Sequence, residues 1–482
     1  MSENLNICLV NDSFPPEIDG VANAVTNYAD IITRKHGRCT VVTPDNPAAN
    51  DAVFPFPVLR YPSVDLTKLV GYYAGFPFSP EVQKKLAAER FDLIHTHCPI
   101  TSTMLARSLR DRIHVPMVLT YHTKFDIDIA NAISSKLLQE EAKKLLVENI
   151  SACDEVWTVS RGAGENLCSL GYAGDYIVMP NGVDFPRGRV EDSLIREVTA
   201  GYDLPAGVPV FLFVGRMMWY KGIRIILDAL KTLREAGQIF RMVFVGGGAD
   251  KGEIVACTEK QGLADVVFFA DPIRDRNRIR AWYCRADLFL FPSTFDTNGL
   301  VVREAAACSL ASMLIEGSCA AEDVTDGVSG FLIEENAECM AAKLLELCAK
   351  PEAMRAVGEG ALRELYISWE EAVANACRRY EVVIDNYRAG RYPKHTGLTE
   401  DLIHSIAQGL EGYNRSRDFQ KARMRELSDS YHKLWDDFLA EGQKRFEDYQ
   451  DGQNRLNAGI EATQQQLRSK FDELTRYLDR FM

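Results

Sequence analysis

Short apolar runs alternate with longer amphipathic stretches over the first 390 residues, and this rhythm constrains the fold more than any single motif. Asn6–Val10, Cys39–Thr43, Leu93–His95, Met117–Tyr121, Glu155–Val159 and Tyr176–Met179 read as strands. Helical patterns separate them, among them Val21–Lys35 and Ser134–Cys153. Such alternation implies parallel strands joined by crossover helices. PNGVD at Pro180–Asp184 and GYDLPAG at Gly201–Gly207 are turn and loop segments that interrupt the series. It resumes with Val208–Val214, Arg241–Val245, Val266–Ala270, Leu288–Phe291 and Ser312–Ile315, with Lys221–Ala236 and Leu300–Cys308 as helices between them. Two α/β units of similar size follow, each a doubly wound sheet. Ligands in such sheets bind beyond the carboxyl ends of the strands, so two facing sheets make a cleft.

The chain has 482 residues, 46% hydrophobic and 26% charged, which suits a soluble globular protein with a large core. A net charge of −13 argues against nucleic acid as the main partner. Twelve cysteines lie between Cys8 and Cys377 with no C-x-x-C pair, a pattern suited to a reducing cytosol. MSENLNICLV reads as a strand rather than a signal peptide, and no apolar run approaches the ~20 residues of a membrane span. Beyond Tyr392 the pattern changes. Apolar residues recur at threes and fours from Met424 to Phe481 in a heptad-like stripe, which Gly442, Gly452 and Gly459 weaken. Equal numbers of acidic and basic residues over 413–482 favour a coiled coil or helical hairpin over a membrane-surface helix.

Four segments carry candidate chemistry. The strand Val208–Val214 leads into Gly215-Arg216, with Lys221-Gly222 before the next helix. Two cations beside flexible glycines suit a diphosphate, and a solvated turn is the alternative. In FPSTFDTNGLVVRE, Asp296 sits in a loop and Glu304 just inside a helix. Both carboxylates can accept from sugar hydroxyls, and a carboxylate that only complements the helix dipole is the alternative for Glu304. NDSFPPEIDG, ending in Gly20, follows the first strand and enters a helix that can face an anion. It contains no dinucleotide fingerprint. His122 closes an apolar strand and is either cleft-facing or a satisfied structural histidine. Asp126 and Asp128 spell a D-x-D, and His95 and His97 form a close pair. Neither has a further ligand at metal-like spacing.

In this order the segments resemble a family 4 glycosyltransferase of the GT-B fold over roughly residues 4–390. Asp296-x7-Glu304 is similar to the family's E-x7-E signature, and Val214-Gly-Arg216 with Lys221-Gly222 to its strand-end cations. Pro15–Val21 resembles its N-terminal glycine loop, Pro180–Asp184 its interdomain turn, and the segment from Trp369 its last helix. The resemblance implies an acceptor domain at 1–190, a nucleotide-sugar domain at 200–370 and a helix at 371–392 crossing back to the first domain. The helical extension is 398–482. It implies that Arg216 and Lys221 hold the donor diphosphate, that Glu304 binds the ribose, and that Asp296 binds hydroxyls of the transferred sugar. The backbone of Asn298, Gly299 and Leu300 would lie against sugar and phosphates, with His122 approaching the sugar and Gly20 the diphosphate. The sequence departs from the family in Asp296, shorter than the usual Glu, in Asn298, where an aromatic is usual, and in Asp19-Gly20, where two glycines are usual.

The function expected is transfer of a hexose, with retention, from a nucleotide-diphosphate sugar such as UDP-glucose, without a metal or other cofactor. The aromatic stretches Val53–Pro62 and Lys68–Phe78, with Lys84 and Lys85 nearby, resemble the acceptor side of diacylglycerol and phosphatidylinositol glycosyltransferases. They point to a lipid acceptor at the inner membrane face, with a packed loop layer as the alternative. A soluble glycan acceptor, a non-hydrolysing sugar-nucleotide epimerase and a non-catalytic scaffold remain open. Self-association through the C-terminal helices is a further expectation.

Overall fold

The computed structural model describes residues 5–17, 19–65, 73–126, 129, 135–296 and 299–393. The C-terminal helical reading, Ile127 and Asp128 of the D-x-D, Asn298, and residues 68–72 of the aromatic acceptor-side segment lie outside the described residues. The first half contains β1 (Leu5–Val10), β2 (Gly37–Pro44), β3 (Val58–Tyr61), β4 (Ser63–Asp65), β5 (Tyr73–Gly75), β6 (Leu93–Thr96), β7 (Met117–Tyr121), β8 (Glu155–Thr158) and β9 (Ile177–Val178). Seven of these form a parallel sheet in the order β3-β2-β1-β6-β7-β8-β9, and β4 and β5 pair as an antiparallel ribbon. The second half contains β10 (Val210–Val214), β11 (Arg241–Val245), β12 (Val267–Ala270), β13 (Leu288–Phe291), β14 (Ser312–Ile315) and β15 (Phe331–Ile333), parallel in the order β12-β11-β10-β13-β14-β15. Helices cover both faces of each sheet. This is why the central strands, such as VFLFV in β10, are buried throughout instead of alternating.

The sequence reading missed β3, β4, β5 and β15. The first is a half-exposed edge strand inside the segment taken as an apolar acceptor-side stretch, and the other three are only three residues long. None offers an apolar run long enough to mark an interior strand. Strand order reverses between β1 and β6 and again between β10 and β13. Loops splay apart at such switch points, and these two place the carboxyl-end loops where ligands bind.

The last described helix, Trp369–Arg388, begins two residues before the expected crossover helix at 371. Ser368 caps it by accepting from the Glu371 N–H at 3.2 Å. Its buried face of Trp369, Val373, Tyr380 and Val383 packs with Ile7, Leu9, Val25 and Tyr28 of the first domain. Tyr380 stacks on Trp157 at 5.4 Å, and its hydroxyl meets Nδ1 of buried His95 at 2.6 Å. Over the described residues the chain thus leaves the second sheet and returns to the first.

A second contact joins the halves across the cleft. The Glu322 carboxylate, from the segment after β14, accepts from the Arg161 N–H at 2.6 Å and from the Gly162 N–H. These amides open the helix Arg161–Ser169 of the first domain. A helix N-terminus carries unsatisfied N–H groups and partial positive charge, so an acidic side chain there is stabilising. The side chains of this segment press against the residue 162 backbone because it is glycine: a Cβ would lie 2.4 Å from Cys319 Sγ.

Two outcomes follow from this packing. Tyr380→Phe removes the partner of a buried imidazole nitrogen and is expected to cost about 1–3 kcal/mol, read as a lowered urea midpoint. Glu322→Ala removes a carboxylate from a helix N-terminus whose cap, Ser160, remains, typically worth about 0.3–1 kcal/mol. It is expected to enlarge the radius of gyration in small-angle scattering, and an unchanged radius would show that this contact does not hold the halves together.

Candidate active site

The carboxyl end of β10 turns through Gly215 into Arg216, which is solvent-exposed and has no ion-pair partner among the described residues. A short helical turn at Trp219–Lys221 follows and is closed by Gly222 at φ +75°. Only glycine fits here, because a Cβ would sit 2.1 Å from the Pro292 carbonyl oxygen. Gly222 therefore lets the Lys221 turn press against the loop after β13.

That approach brings two of the predicted residues into contact. Lys221 Nζ lies 2.6 Å from Asp296 Oδ1, and Ser293 donates to Asp296 Oδ2 at 2.5 Å. The ammonium is 8% exposed and sits 5.6–5.9 Å from the ring centres of Tyr220, Phe291 and Phe295. An unpaired charge in such a place is costly, so the carboxylate balances the cation and the rings add cation–π attraction. The expectation of two free cations is thereby refined. Arg216 presents an unshared positive charge, while Lys221 shares its charge with Asp296.

Glu304 lies in the helix Leu300–Ala307, which starts at Gly299 just beyond the β13 loop. Its carboxylate is buried and accepts from Arg276 Nη2 at 2.5 Å and from the Tyr283 hydroxyl at 3.1 Å. Burial pushes the Glu304 carboxyl up from its ordinary value, while Arg276 and Tyr283 pull it down. Arg276 and Tyr283 share the helix Arg276–Arg285, which Asp275 caps by accepting from the Asn277 and Arg278 N–H groups. Sequence reading missed both residues. The available signal was their spacing of seven, which puts them on one helical face. Gly299 and Leu300 occupy the N-terminal end of the Glu304 helix, where backbone N–H groups are available to an anion.

The first domain contributes Gly20 and His122. Gly20 is exposed at the start of the helix Gly20–Lys35, and a Cβ there would meet nothing within 4 Å. The Asp19 carboxylate already caps this helix, accepting from the Val21 and Ala22 N–H groups at 2.8 and 2.7 Å. The departure from two glycines thus places an anion where the family resemblance expects space for one. His122, just past β7, is buried, and its Nε2 meets His97 Nδ1 at 2.9 Å. Burial lowers its pKa to about 3, so the ring is neutral near pH 7. His95, His97 and His122 form one buried layer: His95 lies 4.0 Å from His97 between ring centres and also bonds Thr120 at 2.7 Å. His97 Nε2 is buried without a hydrogen-bond partner among the described residues.

A cavity of about 760 Å³ opens between the halves on the β7 and β14 side. Lys124, Arg161, Glu165 and Asn166 line it from the first domain, and Glu316 and Glu335 from the second. Of the six described aromatics expected to face an acceptor, three are buried, and Phe54, Tyr73 and Phe76 are half-buried. Phe56, Tyr61 and Phe78 are buried, and Phe54 stacks on Phe56 at 5.2 Å. Among the described residues no helix is long and apolar enough to cross a membrane.

Comparison with known proteins agrees with this arrangement. Residues 18–187 match the family described as Glycosyltransferase Family 4, and residues 196–364 match Glycosyl transferases group 1. A D-inositol 3-phosphate glycosyltransferase of Segniliparus rotundus is 28% identical over 311 residues, covering 62% of this chain and 67% of the relative. The alpha-monoglucosyldiacylglycerol synthase of Streptococcus pneumoniae is 22% identical over 310 residues, covering 63% and 69%. Among solved structures, sucrose-phosphate synthase from Thermosynechococcus elongatus superposes with a TM-score of 0.61 at 20% identity, over 79% of this chain and all of that one. Anabaena HepE in complex with UDP superposes with a TM-score of 0.62 at 17% identity, over 78% of this chain and all of that one. The two matched families lie end to end, one on each parallel sheet, and the chain is a glycosyltransferase of family 4 built on the GT-B fold.

Proposed function

We propose that this glycosyltransferase moves a hexose from a nucleoside diphosphate sugar to a hydroxyl of a hydrophilic acceptor, with retention of configuration. The observation that carries the donor half is the cluster at the β10–β13 switch point: exposed Arg216, the Lys221–Asp296 pair and buried Glu304. Arg216 and Lys221 meet the diphosphate, Glu304 accepts from ribose hydroxyls, and Asp296 accepts from hydroxyls of the hexose. That HepE has been solved with UDP and with UDP and glucose supports a nucleotide-sugar donor here.

Breaking the sugar–phosphate bond leaves a nucleoside diphosphate with added negative charge. Groups already in place to stabilise that charge accelerate the step, because they need not reorganise as it develops. A cation ~4 Å away at an effective dielectric near 20 supplies about 4 kcal/mol, or up to ~10³-fold in rate. Arg216 and Lys221 would then do what a divalent ion does in other sugar transferases. Asp296 would orient the hexose, and the neutral His122 would line its N-terminal side.

The polar cavity favours a soluble alcohol or glycan over a lipid. Ile315 is the one aliphatic side chain that lines it, and of the six described aromatics of the acceptor side three are buried and three half-buried. A lipid acceptor is the competing reading, supported by the relative named alpha-monoglucosyldiacylglycerol synthase.

A screen of UDP- and GDP-hexoses is expected to find one that raises the melting temperature and is slowly hydrolysed. The anomeric proton signal of the transfer product is expected to match the donor's, and an inverted product would reject retention. Activity is expected to survive EDTA. Arg216→Ala is expected to lower kcat/KM by about 10²–10³-fold with an unchanged melting temperature, because the side chain is exposed and unpaired. Lys221→Ala is expected to lower both, since it also strips Asp296 of its counter-ion. Wild-type turnover in both variants would overturn the diphosphate assignment.

A further inference from the structure

Arg276 has a placement that the donor-site reading does not explain. It reaches inward from the rim, 45% exposed, while the Glu304 carboxylate that it grips is 11% exposed. The same Nη2 lies 3.7 Å from Asp184 Oδ2, and the guanidinium lies over the face of Phe185 at 4.5 Å. Asp184 ends the turn that leads out of the first domain, and Asn23 Nδ2 of the helix Gly20–Lys35 stands 3.5 Å from its carboxylate. A polar chain therefore runs from the first domain through Asn23, Asp184 and Arg276 to Glu304.

We propose that Arg276 is a positioning residue for the nucleotide: it keeps the Glu304 carboxylate charged and aimed so that ribose hydroxyls can donate to it. The inference rests on the donor-site reading above. A carboxylate offers about four lone-pair positions, and Arg276 and Tyr283 use two of them, leaving room for a ribose diol without displacing either. Arginine suits the task because one amino group, Nη2, lies between two carboxylates while the flat guanidinium face stacks on Phe185.

The direction of the pH effect follows from the surroundings. The groups facing Glu304 are Arg276 and Tyr283 from the helix Arg276–Arg285 and Asp184 from the interdomain turn. Cys308, just past the end of the Glu304 helix, lies near Tyr283. Burial holds the Tyr283 phenol protonated, so it remains a donor. Burial and Asp184 favour the protonated form of Glu304, and Arg276 and Tyr283 oppose them. Without the guanidinium the Glu304 pKa rises further. Ribose binding needs the ionised form, so the loss of binding as pH falls begins at a higher pH in the variant.

The test is calorimetric titration of the full chain with UDP, GDP and inorganic pyrophosphate from pH 5 to 8. It compares wild type with Arg276→Met, Arg276→Lys and Glu304→Ala. Arg276→Met is expected to weaken the bound nucleotide about tenfold at pH 6, the effect of roughly one charge-assisted hydrogen bond, and to approach wild type at pH 8. Arg276→Lys is expected to restore most of the wild-type pH profile. Pyrophosphate, which has no ribose, is expected to bind all four proteins alike. An unshifted nucleotide profile in Arg276→Met overturns the proposal, as does an equal loss for pyrophosphate. Wild-type nucleotide affinity in Glu304→Ala, or binding of neither nucleotide by wild type, overturns the ribose assignment itself and this inference with it.

Discussion

Carboxylates held out of bulk water, each matched by a cation from a neighbouring loop or helix, set the geometry at the carboxyl end of the second sheet. Lys221 meets Asp296, and Arg276 meets Glu304. A charge left alone in either place would be expensive, so each partner fixes the other. The loop after β13 is anchored through Asp296 and Ser293, and the helix Leu300–Ala307 is tied to the helix Arg276–Arg285 through Glu304. The segment between the pairs carries the Gly299 and Leu300 backbone that the donor reading uses.

This pairing divides the labour among the site's cations. A lysine already matched to a carboxylate contributes less net field to an incoming diphosphate than a free one. In the proposed donor site the unshared guanidinium of Arg216 would be the main attraction for the phosphates. Lys221 and Asp296 would act as one neutral, oriented unit, with a donor for phosphate and an acceptor for a sugar hydroxyl. Asp296 is one methylene shorter than the glutamate usual in the family, and the close approach allowed by Gly222 brings the lysine turn to it.

The first domain has a buried, neutral histidine layer, an ion pair of the buried Glu155 carboxylate with Arg379, and carboxylates at helix starts: Asp19 caps the helix after β1, and Glu322 of the second domain accepts from the first amides of the helix after β8. The helix Trp369–Arg388 and the Glu322 contact are two attachments between the halves, one apolar and large, the other polar and small. The polar one can break at modest cost, whereas the apolar one tethers the halves whatever the cleft does.

The two parallel sheets were legible in the sequence because interior strands buried on both faces read as unbroken apolar runs, as Phe211–Val214 and Met117–Tyr121 do. The candidates Arg216, Lys221, Asp296 and Glu304 were legible because each lies in a loop or helix start just past a recognisable apolar strand. The edge strands β3 and β15 were not, since half-exposed or three-residue strands leave no periodic signal. Nor did the sequence reveal which charge meets which. Arg276 and Glu304 are 28 residues apart and Lys221 and Asp296 are 75 apart. Such pairs form only when parallel crossovers bring the carboxyl ends of different strands side by side. Local pattern therefore determined the fold class and singled out the candidate residues, while the tertiary structure decided their partners, because electrostatic pairing acts through space and not along the chain.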